Sequence, residues 1–437
     1  MQALLSYDQS PPLGAPLRFF LTAPLFGILA GLLLLWSGPE ALAARWTPAA
    51  LALTHLITAG FMLQVMLGAL MQILPVLVGA NMANPLRVAA VVHAAITLGA
   101  LFLVAAFLSF SPWLFKLAAL FSGLGVACFV GSAALALHGI ASTNPTTQGL
   151  KLALLGLSVT VILGLLLAVS LGWSLNLPLM LLADIHLGWG FVAWGVVLLA
   201  AVGYVVVPMF QLTPAYPGWF ARYFSFSALA VLVLWTIAEF NQWVFISTML
   251  GTALVALVVL FAGVTLSIQR RSKRPRFDAT QHLWQFAMLS ALAACAVWLA
   301  ARTFPLFDEW TVWPVMCGVL LLFGGFMSVI VGMLYKIVPF LVWLHLQNLG
   351  QGRVMAPNMK KIIAEREMNR QMLAHFASCA LLLLAVWWPL WFVYPAGLAL
   401  LVASGGLLRN LLSALSVHRE HRLKIESLIC ADDLPLT

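Results

Sequence analysis

Two histidines, His55 and His186, stand where imidazole could bind a redox metal. Neutral imidazole is a good ligand for heme iron and for copper. Each lies in a long apolar run, 20 residues before Pro75 and 22 before Pro208, respectively. On a helix those offsets are each roughly 30 Å, which puts the two rings at one depth. Met62 and Met66 follow His55 by 7 and 11 residues and so fall on its helix face. Their thioethers suit copper(I) or the wall of a heme pocket, although methionine is also ordinary core filler. Gly190 and Ala193 lie below His186 and leave room for a flat ring or for close helix packing. Asp184, two residues before His186, is either a support for that ring or an interfacial carboxylate.

The elements that carry these residues repeat. Apolar segments end in Gly68–Pro75, Ala201–Pro208 and Gly332–Pro339, with prolines 133 and 131 residues apart. Registering Pro75 on Pro339 brings Gly60 onto Gly324, Gly68 onto Gly332 and Leu70 onto Leu334. A membrane helix needs ~20 apolar residues, so each repeat spans four helices. The repeats cover about 17–138, 149–267 and 281–416 of a single membrane domain.

Composition fixes the solvent. The 437 residues are 63% hydrophobic and 8% charged, against roughly 25% charged in a soluble domain. Backbone groups in hydrocarbon must be satisfied internally, and unbroken apolar runs exclude alternating barrel strands. The expected fold is all-α with twelve transmembrane helices in three pseudo-symmetric four-helix arcs. The spans are 17–37, 50–79, 87–110, 113–138, 149–173, 179–211, 219–240, 243–267, 281–302, 311–343, 371–393 and 396–416. The run from Leu17 is long enough to span, so it reads as a first helix and not a cleaved leader. A short surface helix is expected near Asn358–Met368. None of the five cysteines forms a Cys-x-x-Cys pair, so neither a zinc site nor a disulfide framework is indicated.

Lysine and arginine set the orientation. With the N-terminus inside, 18 of these residues fall on cytoplasmic segments and three (Arg45, Lys116, Arg302) on the opposite side. Both termini are then cytoplasmic. The net charge of +9 is topological and calls for no nucleic acid; the basic loops suit anionic lipid headgroups. Lys336, inside a helix, snorkels to the cytoplasm or takes up protons. His93 is a local hydrogen-bonding residue or part of a proton path. His138, His282, His345 and His375 are expected at inner helix ends, and His418 and His421 in the tail. Glu239 and Asp308-Glu309 form an acidic rim at the opposite face or ordinary loop positions.

Three residue strings carry a family likeness: Thr54-His55-Leu56 with Gly60-Phe61, Ile185-His186-Leu187-Gly188-Trp189-Gly190, and Gly332 through Phe340. With twelve helices in three arcs they resemble subunit I of the heme-copper oxidase superfamily, in its cbb3-type oxidase and nitric-oxide reductase branch. They are also similar to membrane proteins of the nitric-oxide response. The resemblance implies that His55 is an axial ligand of a heme b and His186 a copper ligand. It implies a bacterial inner-membrane protein acting in electron transfer or in nitric-oxide or metal handling, with a periplasmic electron carrier or respiratory subunit as partner. The family's histidine pair in helix seven is missing, since Trp219–Phe240 holds none, and Val319 stands at the His55 position of helix ten. A functional terminal oxidase is therefore not implied. Two other classes remain open, a cofactor-free transporter and an assembly or interaction subunit. Few polar residues (His93, Asn241, Lys336) offer the transporter a path.

Overall fold

The computed structural model describes residues 9–304, 311–350 and 354–432. Twelve helices among them are long and apolar enough to cross a membrane: α1 (Gly14–Leu42), α2 (Pro48–Val78), α3 (Pro85–Ser109), α4 (Pro112–Leu137), α5 (Pro145–Trp173), α6 (Leu179–Gln211), α7 (Gly218–Phe240), α8 (Val244–Gln269), α9 (Ala279–Thr303), α10 (Trp313–Leu349), α11 (Glu365–Trp387) and α12 (Pro389–Leu428). No strand occurs among the described residues. The protein is an all-α polytopic membrane protein.

Local chemistry starts these helices. Proline, whose missing N–H costs nothing in a first turn, opens α2, α3, α4, α5 and α12. Thr47, Asn144 and Asp278 cap α2, α5 and α9 by accepting the amide N–H of Ala50, Thr147 and Gln281.

Nine helices pack neighbour to neighbour in a closed ring, in the order α1, α3, α4, α5, α7, α8, α9, α11, α12 and back to α1. Gly31 and Gly397 let α1 and α12 approach so closely that a Cβ on Gly31 would lie 2.9 Å from the Gly397 carbonyl oxygen. The ring surrounds α2, α6 and α10. These three share a feature the sequence does not announce: each contains a π-helical stretch, Leu56–Met62, Trp189–Val196 and Val319–Met327. The stretches begin 19, 19 and 20 residues before Pro75, Pro208 and Pro339. Beside the prolines the same three helices enclose an apolar cavity of about 100 Å³. Ile73, Val206 and Ile337, each two residues before its proline, line it together with Leu77, Phe210 and Leu341, each two residues after.

We call the two faces of the bundle the proline end and the histidine end. Trp36, Trp113, Trp173, Trp243, Trp388 and Trp391 are all at least half exposed at the histidine end. Amphipathic indoles collect at a membrane–water interface, and exposed Leu, Val and Phe side chains cover the ring between the two ends. The outer surface therefore faces lipid.

Several boundaries differ from the sequence reading. Helix α11 begins at Glu365, not near 371, and the expected surface helix shrinks to one turn at Met359–Ile362. Glu365 and Glu367 favour the first turn of a helix, where backbone N–H groups concentrate positive potential. The break between α11 and α12 falls at Trp388, because Pro389 opens α12 and Pro395 is carried inside it.

Candidate two-histidine site

His55 and His186 each lie seven residues inside their helices, about 10 Å below the start of α2 and α6. Both rings are partly buried. Nδ1 of His55 is 2.8 Å from the carbonyl oxygen of Leu51, on its own helix. Nδ1 of His186 is 2.8 Å from the carbonyl oxygen of Thr160, on α5. A carbonyl only accepts, so each ring carries its proton on Nδ1 and leaves Nε2 as a bare lone pair. No hydrogen bond engages either Nε2 among the described residues. This is the tautomer a metal-ligating histidine needs, with the second nitrogen oriented by a backbone carbonyl.

The neighbours fix the rings. Phe107 of α3 packs on His55 with centroids 5.1 Å apart. Gly164 of α5 lies under His186; a Cβ there would come within 3.0 Å of the ring's Cε1. Asp184 does not touch His186. It pairs with Arg45 at 2.8 Å, and Arg45 in turn lies over Trp46. That exposed pair is worth at most about 1 kcal/mol, but it ties the α1–α2 loop to the start of α6 and so joins the two histidine-bearing helix ends.

Met62 and Met66 are buried in the main core. The π-helical stretch Leu56–Met62 lies between His55 and Met66, and its wider turn shifts the phase of everything beyond it, so i+7 and i+11 counting no longer defines one face. Gly190 approaches Thr160, and Ala193 packs backbone-close against Gly156 of α5. These small residues serve the α5–α6 contact that presents Thr160 to His186.

The donor set limits what could bind. No group of three or more His, Cys, Asp or Glu side chains that could hold a metal ion occurs among the described residues. Two imidazole nitrogens fit a group that brings its own equatorial ligands, as heme does, or an ion content with few ligands, as copper(I) is.

The other polar residues singled out by the sequence have protein partners. Lys336 reaches the start of α9, where its ammonium donates to Asp278 at 2.6 Å and Arg274 joins the same carboxylate at 2.7 Å. His93 meets Thr22 of α1 at 2.8 Å, and because Thr22 donates to the Arg18 carbonyl, the ring is the donor. His345 and His418 hydrogen-bond each other at 3.0 Å. His375, expected at a helix end, is fully buried ten residues into α11, stacked on Phe323. Ser328 donates to the Phe323 carbonyl inside the π-helical stretch of α10, so it accepts from Nε2–H of His375. Glu239, in the last turn of α7, accepts from Ser247 in the first turn of α8, and Asp308 and Glu309 lie outside the described residues.

Tyr335, four residues before Pro339, joins three helices. Its hydroxyl donates to Gln371 of α11 at 3.0 Å and accepts from Asn410 of α12 at 2.9 Å. Tyr335→Phe leaves a buried acceptor and a buried donor short of a partner and is expected to cost about 1–3 kcal/mol. A lowered thermal unfolding midpoint in detergent measures it; an unchanged midpoint would show that the hydroxyl carries no load.

No protein-family model matches the chain, and no curated protein matches it at a significant level.

Proposed function

We propose that the protein holds a redox-active metal group between α2 and α6, with His55 and His186 as its ligands. Heme b is the first candidate and copper the second. The observation that carries this reading is the pair of Nδ1-protonated rings with bare Nε2 atoms at equal depth. Two such lone pairs, without a protein hydrogen-bond partner in an otherwise apolar bundle, are suited to a common ligand. The group would supply one-electron chemistry; the chain supplies ligation, ring orientation and an apolar surround. The lysine and arginine distribution supports a cytoplasmic proline end; in a bacterial inner membrane, which the family resemblance implies, the histidine end would be periplasmic. On that reading the group lies within reach of a periplasmic electron carrier or respiratory subunit, in the manner of a heme-copper oxidase relative without its binuclear centre.

Absorption spectroscopy and metal analysis of protein purified from cells supplied with heme precursor and copper test this. The expected result is a Soret band, or copper near one per chain, that falls at least about tenfold in His55→Ala and in His186→Ala, since each removes a ligand. Protein with neither signal, or signals indifferent to both substitutions, would end the proposal.

A further inference from the structure

A groove of about 460 Å³ opens on the outside of the bundle between α11 and α12, near the proline end. Its walls are Ala374, Val402, Gly405 and Gly406, and Arg370 and Arg409 flank it. Two features need an explanation. Adjacent glycines inside a helix cost about 1 kcal/mol each relative to alanine. The common justification in membranes is close helix approach, and it fails here: a Cβ on Gly405 would meet nothing within 4 Å, and one on Gly406 only the side chain of Gln371 at 3.5 Å. The glycines hollow out a surface instead of closing a contact. The second feature is charge. Both arginines pair with the single carboxylate of Glu367, Arg370 at 2.6 Å through Nη1 and Arg409 through Nη2, so one positive charge is uncompensated. Their side chains are 54% and 66% exposed. Each guanidinium has five N–H donors in a planar fork suited to phosphate, and the Glu367 pairing uses one on each.

We propose that this groove binds one anionic phospholipid, with its phosphate on Arg370 and Arg409 and its glycerol and first methylenes over Gly405 and Gly406. An apolar floor beside a cationic rim, on a face that lies in lipid, matches that chemistry. Gln371 gives the site a link inward, since it lines the groove and also accepts from Tyr335 of α10.

Native mass spectrometry of the detergent-purified full chain tests the proposal, with phosphatidylglycerol and phosphatidylcholine of the same acyl length as probes. The expected preference for phosphatidylglycerol is about fivefold for each arginine engaged, from ~1 kcal/mol per basic residue at a membrane surface. Arg370→Gln with Arg409→Gln should abolish the preference. Gly405→Leu keeps both charges and puts a side chain into the groove from a position whose Cβ meets nothing within 4 Å, so it should reduce phosphatidylglycerol retention while leaving thermal unfolding near wild type. Inorganic phosphate alone should not compete at millimolar concentration, since it lacks the acyl part. Equal retention of the two lipids, a preference that survives both variants, or displacement by free phosphate would each overturn the assignment.

Discussion

Asp278→Ala should destabilise the protein by about 3 kcal/mol, the largest effect expected of any substitution outside the apolar core. The carboxylate does three things at once. One oxygen caps α9 by accepting the Gln281 N–H at 3.0 Å, and the other receives Lys336 and Arg274. Arg274 also donates to the carbonyl of Phe210 at the end of α6, so the cluster fastens α6, α9 and α10 together at the proline end. The Asp278 and Lys336 side chains are only 19% and 23% exposed, so water replaces little of what is lost. Removing Asp278 alone strands the Lys336 cation beside hydrocarbon. Removing both in Asp278→Ala/Lys336→Met should recover much of the loss, because the desolvation cost of the cation goes with it. Thermal unfolding of the three variants in detergent measures this; a double variant no better than Asp278→Ala would refute the coupling. The same pair predicts a pH dependence. Burial pushes the Asp278 carboxyl up, but the Lys336 hydrogen bond and charge, the Gln281 amide and Arg274 outweigh it and hold the group below the usual carboxylate range. A folded-state value below the unfolded one, ~3.9, means the stabilisation is complete above that pH and fades as pH falls through the lower folded value. The gap between wild type and Asp278→Ala should therefore be constant from neutrality to about pH 5 and close below about pH 4.

What the sequence discloses and what it hides follow from the range of the interactions. Twelve spans are legible because hydrocarbon demands long apolar runs, and this demand is local to each segment. The start of α11 is not, because Glu365, Arg366, Glu367, Asn369 and Arg370 read as a loop by polarity although Glu367 and Arg370 lie on the helix and pair with each other, Glu367 also with Arg409 of α12. That error carried His375 to a helix end, whereas it sits ten residues inside the membrane helix against Phe323. Nor can the partner of Lys336 be read from its surroundings, since Asp278 is 58 residues away. The π-helical stretches are the least visible feature. One extra residue per turn leaves no mark in composition, yet it decides which side chains share a face with His55. Imidazole, in contrast, is rare in apolar runs, so the two candidate ligands stand out by type alone. Their tautomers do not, because these depend on the carbonyls of Leu51 and Thr160.

Thr160 reaches His186 only because α5 and α6 touch along their backbones, and the second large prediction concerns that contact. A Cβ on Gly156 would lie 2.5 Å from the carbonyl carbon of Ala193 and 2.6 Å from its oxygen. No rotamer relieves a clash with backbone, so Gly156→Ala must push α6 outward in the middle of its π-helical stretch, Trp189–Val196. The expected cost is about 1–3 kcal/mol of stability. The displacement also acts one turn further along α5, where it lengthens the 2.8 Å hydrogen bond from His186 to the Thr160 carbonyl and frees the ring to turn. Loss of a supporting hydrogen bond of this type weakens metal binding by about 10–100-fold. Gly156→Ala should therefore lower both the unfolding midpoint and the occupancy of the group proposed at His55 and His186, although it replaces neither proposed ligand. Gly131→Ala is the control: it lies on α4 with open space around it, so it should leave occupancy unchanged and raise stability by about 0.5–1 kcal/mol. Should Gly156→Ala lose stability while binding the group as tightly as wild type, the Thr160 bond would be packing alone, and ring orientation would have to come from Gly164 beneath His186.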